Sequence, residues 1–159
     1  MSHISRNSTF GSALVLVLVS LSGQTSTAQP TYTTPANAAE ASKVTIKPVA
    51  RTDKTVLGQA IVVPPNAELR AFTVAFEPGA RLRIHKHPYP HYVYVEKGTL
   101  TVMNVETGRS LEFKEGSFFA EMTNTWHYGI NKTNEPVKLL VIEQMPKNVA
   151  TNTVLKPGQ

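Results

Sequence analysis

Three of the five histidines in this chain, His85, His87 and His91, lie within the seven residues "HKHPYPH". Imidazole nitrogens bind zinc and other transition metals at about 2 Å. Side chains two positions apart on a strand point to the same face, so His85 and His87 would converge from one strand. Pro88 and Pro90 interrupt strand pairing directly after them, which is typical of a strand end at a pocket rim. The spacing therefore predicts a metal site.

A fourth histidine, His127, lies in the stretch "NTWHYGIN", just after the apolar run "SFFAEM". His91 opens another apolar run, "HYVYVE". Every histidine after residue 3 therefore belongs to one of two segments at the ends of predicted strands. Scattered surface histidines would not be distributed in this way.

The elements that must position these histidines are short β-branched and aromatic runs, separated by turn residues. The runs are "VTIKPV", "AIVV", "LRAFTVAF", "HYVYVE", "LTVMNV", "SLEF", "SFFAEM" and "VKLLVIEQ". Short, evenly spaced strands predict an all-β sandwich or barrel, which we place at residues 43–145. Residues 146–159 form a tail that either packs as an edge strand or stays loose.

The N-terminal 28 residues have the features of a cleavable signal peptide. A weakly basic start precedes the apolar run "ALVLVLVSL", and Ser26 and Ala28 fit the small-x-small rule for cleavage. The apolar run is shorter than the roughly 20 residues that span a bilayer. We expect cleavage after Ala28, a flexible lead-in over residues 29–42, and a periplasmic or secreted protein without a stable membrane anchor.

Composition excludes several kinds of function. The net charge is +5, but no run of lysines or arginines concentrates it, so we expect no nucleic-acid partner. The chain has no cysteine, which rules out disulfides, thiolate metal ligands and a cysteine nucleophile. An exported domain of this kind must rely on its own hydrophobic core.

The first histidine segment resembles the first motif of the cupin family. That motif is a glycine, five residues, His-x-His, three or four residues, a carboxylate, six residues and a glycine. Gly79, His85, His87, His91 and Gly98 follow this spacing throughout. The one departure is His91, which takes the place of the usual glutamate.

The second segment resembles the second cupin motif. Gly116, His127 and Asn131 match in type and position, whereas Met122 and Asn124 replace the usual proline and glycine. The chain thus resembles a small single-domain cupin. The resemblance implies a β-barrel of two packed antiparallel sheets (a double-stranded β-helix, or jelly roll) and pairing into a homodimer.

The resemblance also implies one metal ion at the barrel mouth, held by His85, His87 and His127. Three possibilities remain for the fourth ligand: His91, Glu121 pointing inward from the second motif, or water, because a strand register that slips by one residue reverses a side chain. Nitrogen donors suit copper, zinc, iron, nickel or manganese rather than calcium or magnesium.

Other side chains are candidates for contacting a substrate. Arg83 shares the strand parity of His85, so it either binds a substrate carboxylate or meets solvent. Trp126 is a candidate pocket wall because it adjoins His127. Glu121, if it is not a ligand, is the candidate general base or ligand-orienting residue.

Cupins carry very different chemistries on one scaffold, so the resemblance does not name a reaction. We expect a metal-dependent enzyme that acts on a small molecule. Dioxygenase-like chemistry is favoured, and isomerase or lyase chemistry is possible. The alternative is a non-catalytic exported protein that binds a metal or a small ligand.

Overall fold

The structure is a computed structural model, and it describes residues 44–158. The predicted signal peptide and lead-in lie outside the described residues. No helix within the described part of the chain is long and apolar enough to cross a membrane. The strands are β1 (Ala67–Phe76), β2 (His85–Lys86), β3 (His91–Lys97), β4 (Thr99–Asn104), β5 (Ser110–Lys114), β6 (Phe118–Ala120), β7 (His127–Ile130), β8 (Val137–Pro146) and β9 (Val154–Leu155).

These strands form two antiparallel sheets. One has the order β1-β8-β3-β6 and the other has the order β5-β4-β7-β2-β9. Strands that are neighbours in a sheet are often distant in the chain, so the two sheets are built from interleaved segments. The predicted all-β barrel of two packed sheets is confirmed.

The long strands β1 and β8 pair over ten residues and show why the two-residue alternation of the sequence produces a barrel. Phe72 lies opposite Val141, and Val141 in turn lies opposite Val93 on β3. In the next inward row, Val74 lies opposite Leu139 on β8, and Leu139 lies opposite Val95 on β3. These rows face the core, which contains Phe76, Val93, Val95, Leu100, Val102, Phe119, Met122, Val137, Leu139 and Val141.

Two predicted strands are absent from the structure: residues 44–49 and residues 60–63 lie outside every named strand. Their apolar side chains are exposed, 82% for Ile46 and 73% for Val62. β-branched composition alone does not make a strand when no partner strand is available. The strand expected at His85 is the two-residue β2. The tail at residues 146–159 was expected either to pack as an edge strand or to stay loose, and its short strand β9 lies at the edge of its sheet.

Gly98, the last residue of the first motif, is required by its surroundings. It joins β3 to β4 in the left-handed region, with φ of +81°. A Cβ atom there would lie 2.7 Å from the carbonyl oxygen of Pro136. A side chain would therefore collide with backbone as well as strain the turn, so glycine at this position fixes how β3 reverses into β4.

Candidate metal centre

The four histidines after residue 3 lie together inside the barrel. His85 on β2 is the direct cross-strand partner of His127, the first residue of β7. His87 follows β2 and forms an isolated parallel bridge with Thr123. His91 is the first residue of β3, in the other sheet. All four are buried, with exposed fractions of 0–8%.

Their imidazole rings are packed against one another. The ring centroid of His85 lies 4.6 Å from that of His127 and 4.8 Å from that of His87. The third side of this triangle, between His87 and His127, is 5.1 Å. His91 stacks on His87 with a centroid distance of 3.8 Å. The clustering predicted from the sequence is thus present in the fold.

The backbone orients the three rings of the triangle. His85 Nδ1 lies 2.7 Å from the carbonyl oxygen of Arg83, and His127 Nδ1 lies 2.8 Å from that of Thr125. A carbonyl oxygen only accepts hydrogen bonds, so each Nδ1 must carry the proton. The Nδ1 atom of His87 is held in the same way, 3.0 Å from the carbonyl oxygen of Asn152. In each neutral ring the lone pair is therefore on Nε2, the usual arrangement of a ligating imidazole.

Glu121 is the carboxylate at the centre of this cluster. It follows β6, and its backbone N–H donates to the carbonyl oxygen of His91, 2.8 Å away. Its Oε2 atom lies 3.1 Å from His87 Nε2, 3.2 Å from His127 Nε2 and 3.7 Å from His91 Nε2. Position 91 of the first motif has no carboxylate, but Glu121 supplies one directly after β6, the strand that pairs with β3.

The residues present fit a metal ion. One possible ligand atom from each of His85, His87, Glu121 and His127 lies within 4.8 Å of all the others. The Nε2 atom of His87 is buried and has no hydrogen-bond partner, although it lies 3.1 Å from Oε2 of Glu121. Imidazole nitrogen lone pairs and a carboxylate that face one another repel, unless a cation, either a metal ion or a proton, lies between them. Three nitrogens and one oxygen suit zinc, iron, copper, nickel or manganese.

His85 and His87 are weaker bases than an ordinary histidine. Burial and, to a smaller extent, the neighbouring imidazoles of His87 and His127 lower the pKa of His85 to about 4, against the opposing effects of the Arg83 carbonyl and the Glu121 carboxylate. Burial also lowers the pKa of His87. Both rings therefore stay neutral, the form that ligates metals, to a lower pH than an ordinary histidine.

His127 and Glu121 are a closely coupled pair, with Nε2 and Oε2 3.2 Å apart. Burial would lower the pKa of His127, but the carboxylate of Glu121 raises it. Burial would raise the pKa of Glu121, but the imidazoles of His127, His87 and His91 hold it well below its usual value. A metal ion that binds at His127 Nε2 would compete with a proton for that atom.

His91 belongs to a second, overlapping group. Its Nδ1 atom lies 3.1 Å from Oε1 of Glu143, a buried residue on β8. Together with His87, these two residues form a second set whose ligand atoms lie within 4.8 Å of one another. The four-residue group described above contains Glu121 and not His91. Glu143 was missed in the sequence, although a charged residue at an inward position of an alternating strand is a detectable signal.

Three residues of the four-residue group, His85, His87 and Glu121, line a cavity of about 340 Å³, and the lining formed by the described residues does not include His127. The cavity lies between the two sheets. Its lining contains Phe72, Val74, Phe76, Leu82, Arg83, His85, His87, His91, Val93, Leu100, Glu121, Gly129, Leu139, Val141, Thr153 and Leu155. A small molecule in this cavity would contact the metal ligands directly.

The two candidate substrate-binding residues are placed differently. Arg83 is exposed and lies in the cavity lining. Trp126 is half-buried, and its ring packs beneath the ammonium group of Lys86, 4.8 Å from the ring centroid. The lining formed by the described residues does not include Trp126.

The C-terminal tail completes the site through Asn152, which has no exposed surface. Its side chain accepts a hydrogen bond from the backbone N–H of Tyr89 at 2.9 Å and donates to the Tyr89 carbonyl at 3.1 Å. Its own carbonyl accepts from His87, as described above, and β9 pairs with β2 just beyond it. No local sequence signal predicts this role, because it depends on contacts with residues more than sixty positions away.

Comparisons with known proteins agree with the fold. Residues 72–143 match the family model of the cupin domain. An oxalate decarboxylase from Lactobacillus farciminis has a similar structure, with 24% identity, a TM-score of 0.45, and coverage of 55% of this chain but only 26% of that one. No curated protein sequence matches this chain.

Two smaller proteins give comparable matches. A cupin-2 domain containing protein from Shewanella frigidimarina is 19% identical over 48% of this chain and 71% of that one, with a TM-score of 0.42. A protein from Bacillus halodurans is 20% identical over 55% and 70% of the two chains, with a TM-score of 0.46. The domain match, combined with the two antiparallel sheets, identifies this chain as a small cupin-fold protein.

Proposed function

We propose that this protein is a metal-dependent cupin enzyme that acts on a small molecule. One divalent transition metal ion is held by His85, His87, His127 and Glu121. The observation that carries the proposal is that these buried ligand atoms converge beside a cavity large enough for a small molecule. A metal with a purely structural role has no need of a cavity beside it.

The choice of Glu121 as fourth ligand rests on its position. Its Oε2 atom lies 3.1 Å and 3.2 Å from the Nε2 atoms of His87 and His127, separations that suit neighbouring ligands of one ion with bond lengths near 2.1 Å. His91 lies farther from this point and is turned toward Glu143. We therefore favour Glu121 over His91, with His91 packed against the ligand His87.

The metal would be copper, zinc, iron, nickel or manganese, and when bound it supplies Lewis-acid or redox chemistry at the cavity wall. The chain itself orients the imidazoles through their Nδ1 hydrogen bonds and excludes water behind them by burial. Glu121 also lies in the cavity lining, but as a metal ligand it is not the free carboxylate that a general base requires.

The proposal for the reaction is less specific than the proposal for the metal ligands. Dioxygenase-like chemistry is favoured because histidine-rich metals in accessible sites can bind a substrate and dioxygen together. Isomerase and lyase chemistry use the same Lewis acidity. A shared fold does not name a reaction, so the activity of the oxalate decarboxylase from Lactobacillus farciminis is not transferred to this chain.

The experiment that tests this function is an azide titration of the cobalt(II)-loaded protein, followed by visible absorption. A saturable change in the d–d bands would show that an outside ligand reaches the metal, as an enzyme requires. Unchanged bands up to high azide concentrations would instead support the alternative, a protein that binds metal without catalysis.

Export and assembly are separate proposals. Export to the periplasm or the medium rests on the signal-peptide pattern of residues 1–28. Mass spectrometry of the protein from its native compartment should find a chain that begins at Gln29, and an intact N-terminus would contradict it. Pairing into a homodimer rests on the cupin resemblance, and sedimentation equilibrium measures it directly.

A further inference from the structure

The cavity beside the candidate metal site is apolar over most of its wall. Nine of the sixteen lining residues carry aliphatic or aromatic side chains. They come from both sheets, so a molecule in the cavity would be enclosed by apolar groups on opposite sides. The apolar members are Phe72, Val74, Phe76, Leu82, Val93, Leu100, Leu139, Val141 and Leu155.

The deep part of this wall offers no polar partner. Val93, Leu100 and Val141 are each 2% exposed, and Leu139 is 4% exposed. A hydroxyl or carboxylate placed against them would lose its hydrogen bonds to water and gain none from these side chains, which is costly. The part of a ligand that lies in this region must therefore be apolar.

None of the polar side chains of the lining belongs to the deep apolar wall. His85, His87, Glu121 and the adjacent His91 lie at the candidate metal site, Arg83 is exposed and Thr153 is half-buried. A ligand can therefore satisfy one polar head group at the metal site. A second head group directed into the deep cavity would be unpaired.

The rim of the cavity gives independent support. Three large apolar side chains of the lining are exposed: Phe72 at 42%, Leu82 at 41% and Leu155 at 44%. They come from β1, from the segment between β1 and β2, and from β9. Exposed apolar groups that surround an apolar cavity are typical of a ligand-binding mouth.

We propose that the substrate has an apolar body, aliphatic or aryl, and a single oxygen-donor head group that faces the metal site. Small dianions such as oxalate are disfavoured, because they leave the apolar wall uncovered. This inference rests on the proposed function for the position of the head group. The choice of an apolar body depends only on the cavity.

The test is a calorimetric titration of the zinc-loaded protein with acetate, butyrate, hexanoate and octanoate, which share one head group, and with oxalate. Each buried methylene should tighten binding by about fourfold until the cavity is full. Octanoate should bind far more tightly than oxalate. A dissociation constant independent of chain length, or oxalate as the tightest ligand, would overturn the proposal.

A matched pair of variants tests whether the rim of the cavity contributes to binding of the apolar body. Phe72→Ser makes the rim polar and should weaken octanoate binding by about tenfold while leaving acetate binding and zinc content unchanged. Leu69→Ser is the control, because Leu69 is 64% exposed on the same strand and outside the lining. An equal loss in both variants, or none in Phe72→Ser, would contradict the assigned mouth.

The same series on metal-free protein separates the two proposals. Tighter binding with chain length in both forms, and stronger binding with zinc, supports both. Affinities that rise with chain length but are the same with and without zinc would contradict the proposed function and support the apolar cavity. Affinities that depend on zinc but not on chain length would support the proposed function and contradict an apolar substrate body in the cavity.

Discussion

His85 and His127 lie directly opposite each other on paired strands β2 and β7, with ring centroids 4.6 Å apart. This register brings together the two cupin motifs, which are separated in the chain by residues 99–115. Because cross-strand neighbours are held at a fixed spacing by the backbone, the two imidazoles need no flexible loop to meet. The site is therefore built into the sheet.

The fourth ligand can be identified by comparing two variants. Glu121→Gln removes a negative charge at the centre of the site, so metal affinity should fall by more than the roughly 10–100-fold typical of residues that only orient a ligand. His91→Ala should cost no more than that range. Competition with a chelator of known affinity measures both, and a larger loss in His91→Ala would assign the ligand to His91 instead.

Asn152→Ala should destabilise the protein and weaken metal binding together. It leaves the part-buried backbone groups of Tyr89 without their partners, each at a cost of up to about 1–3 kcal/mol. Thr151→Ala, at an exposed neighbouring position, is the control. Thermal unfolding and chelator competition give the two readouts. Wild-type values for Asn152→Ala would show that the tail does not support the site.

The stability of the metal-free protein should fall as the pH drops from about 6.5 to about 4. In this window the unfolded chain protonates His85 and His87, whereas burial lowers both pKa values in the folded protein. The raised pKa of His127 has the opposite sign, but its stabilising contribution is fully present below pH 6.5 and so stays constant here.

For His85 alone this effect is on the order of 3 kcal/mol, since one pKa unit corresponds to about 1.36 kcal/mol. Urea unfolding in the presence of a chelator measures it. His85→Gln should lose much of the pH dependence. A free energy of unfolding that is the same at pH 6.5 and pH 4.5 would contradict the assigned burial of these rings.

The sequence was informative wherever the pattern is local. The alternation in "VKLLVIEQ" and "HYVYVE" predicted β8 and β3, and the histidine spacing predicted the cluster. Asn124, which replaces a usual glycine, is also understandable: its φ of +53° is in the left-handed region, which asparagine tolerates better than most residues.

Long-range contacts account for what the sequence did not predict. Residues 60–63 have strand composition but belong to no named strand. For the tail the sequence left an edge strand and a loose segment open, and the pairing of β9 with β2 decides between them. The same holds within the site. The contacts of Glu143 with His91 and of Asn152 with His87 depend on how distant strands are paired, and no residue spacing encodes them.

The most direct test of the central claim is elemental analysis of the protein purified from its native compartment, without chelators or affinity metals. The account predicts about one transition-metal ion per chain. The double variant His85→Ala/His87→Ala should contain almost none, while Leu69→Ser should match the wild type. Equal metal contents in the wild type and the double variant, or a wild type that takes up no metal on titration, would contradict the site.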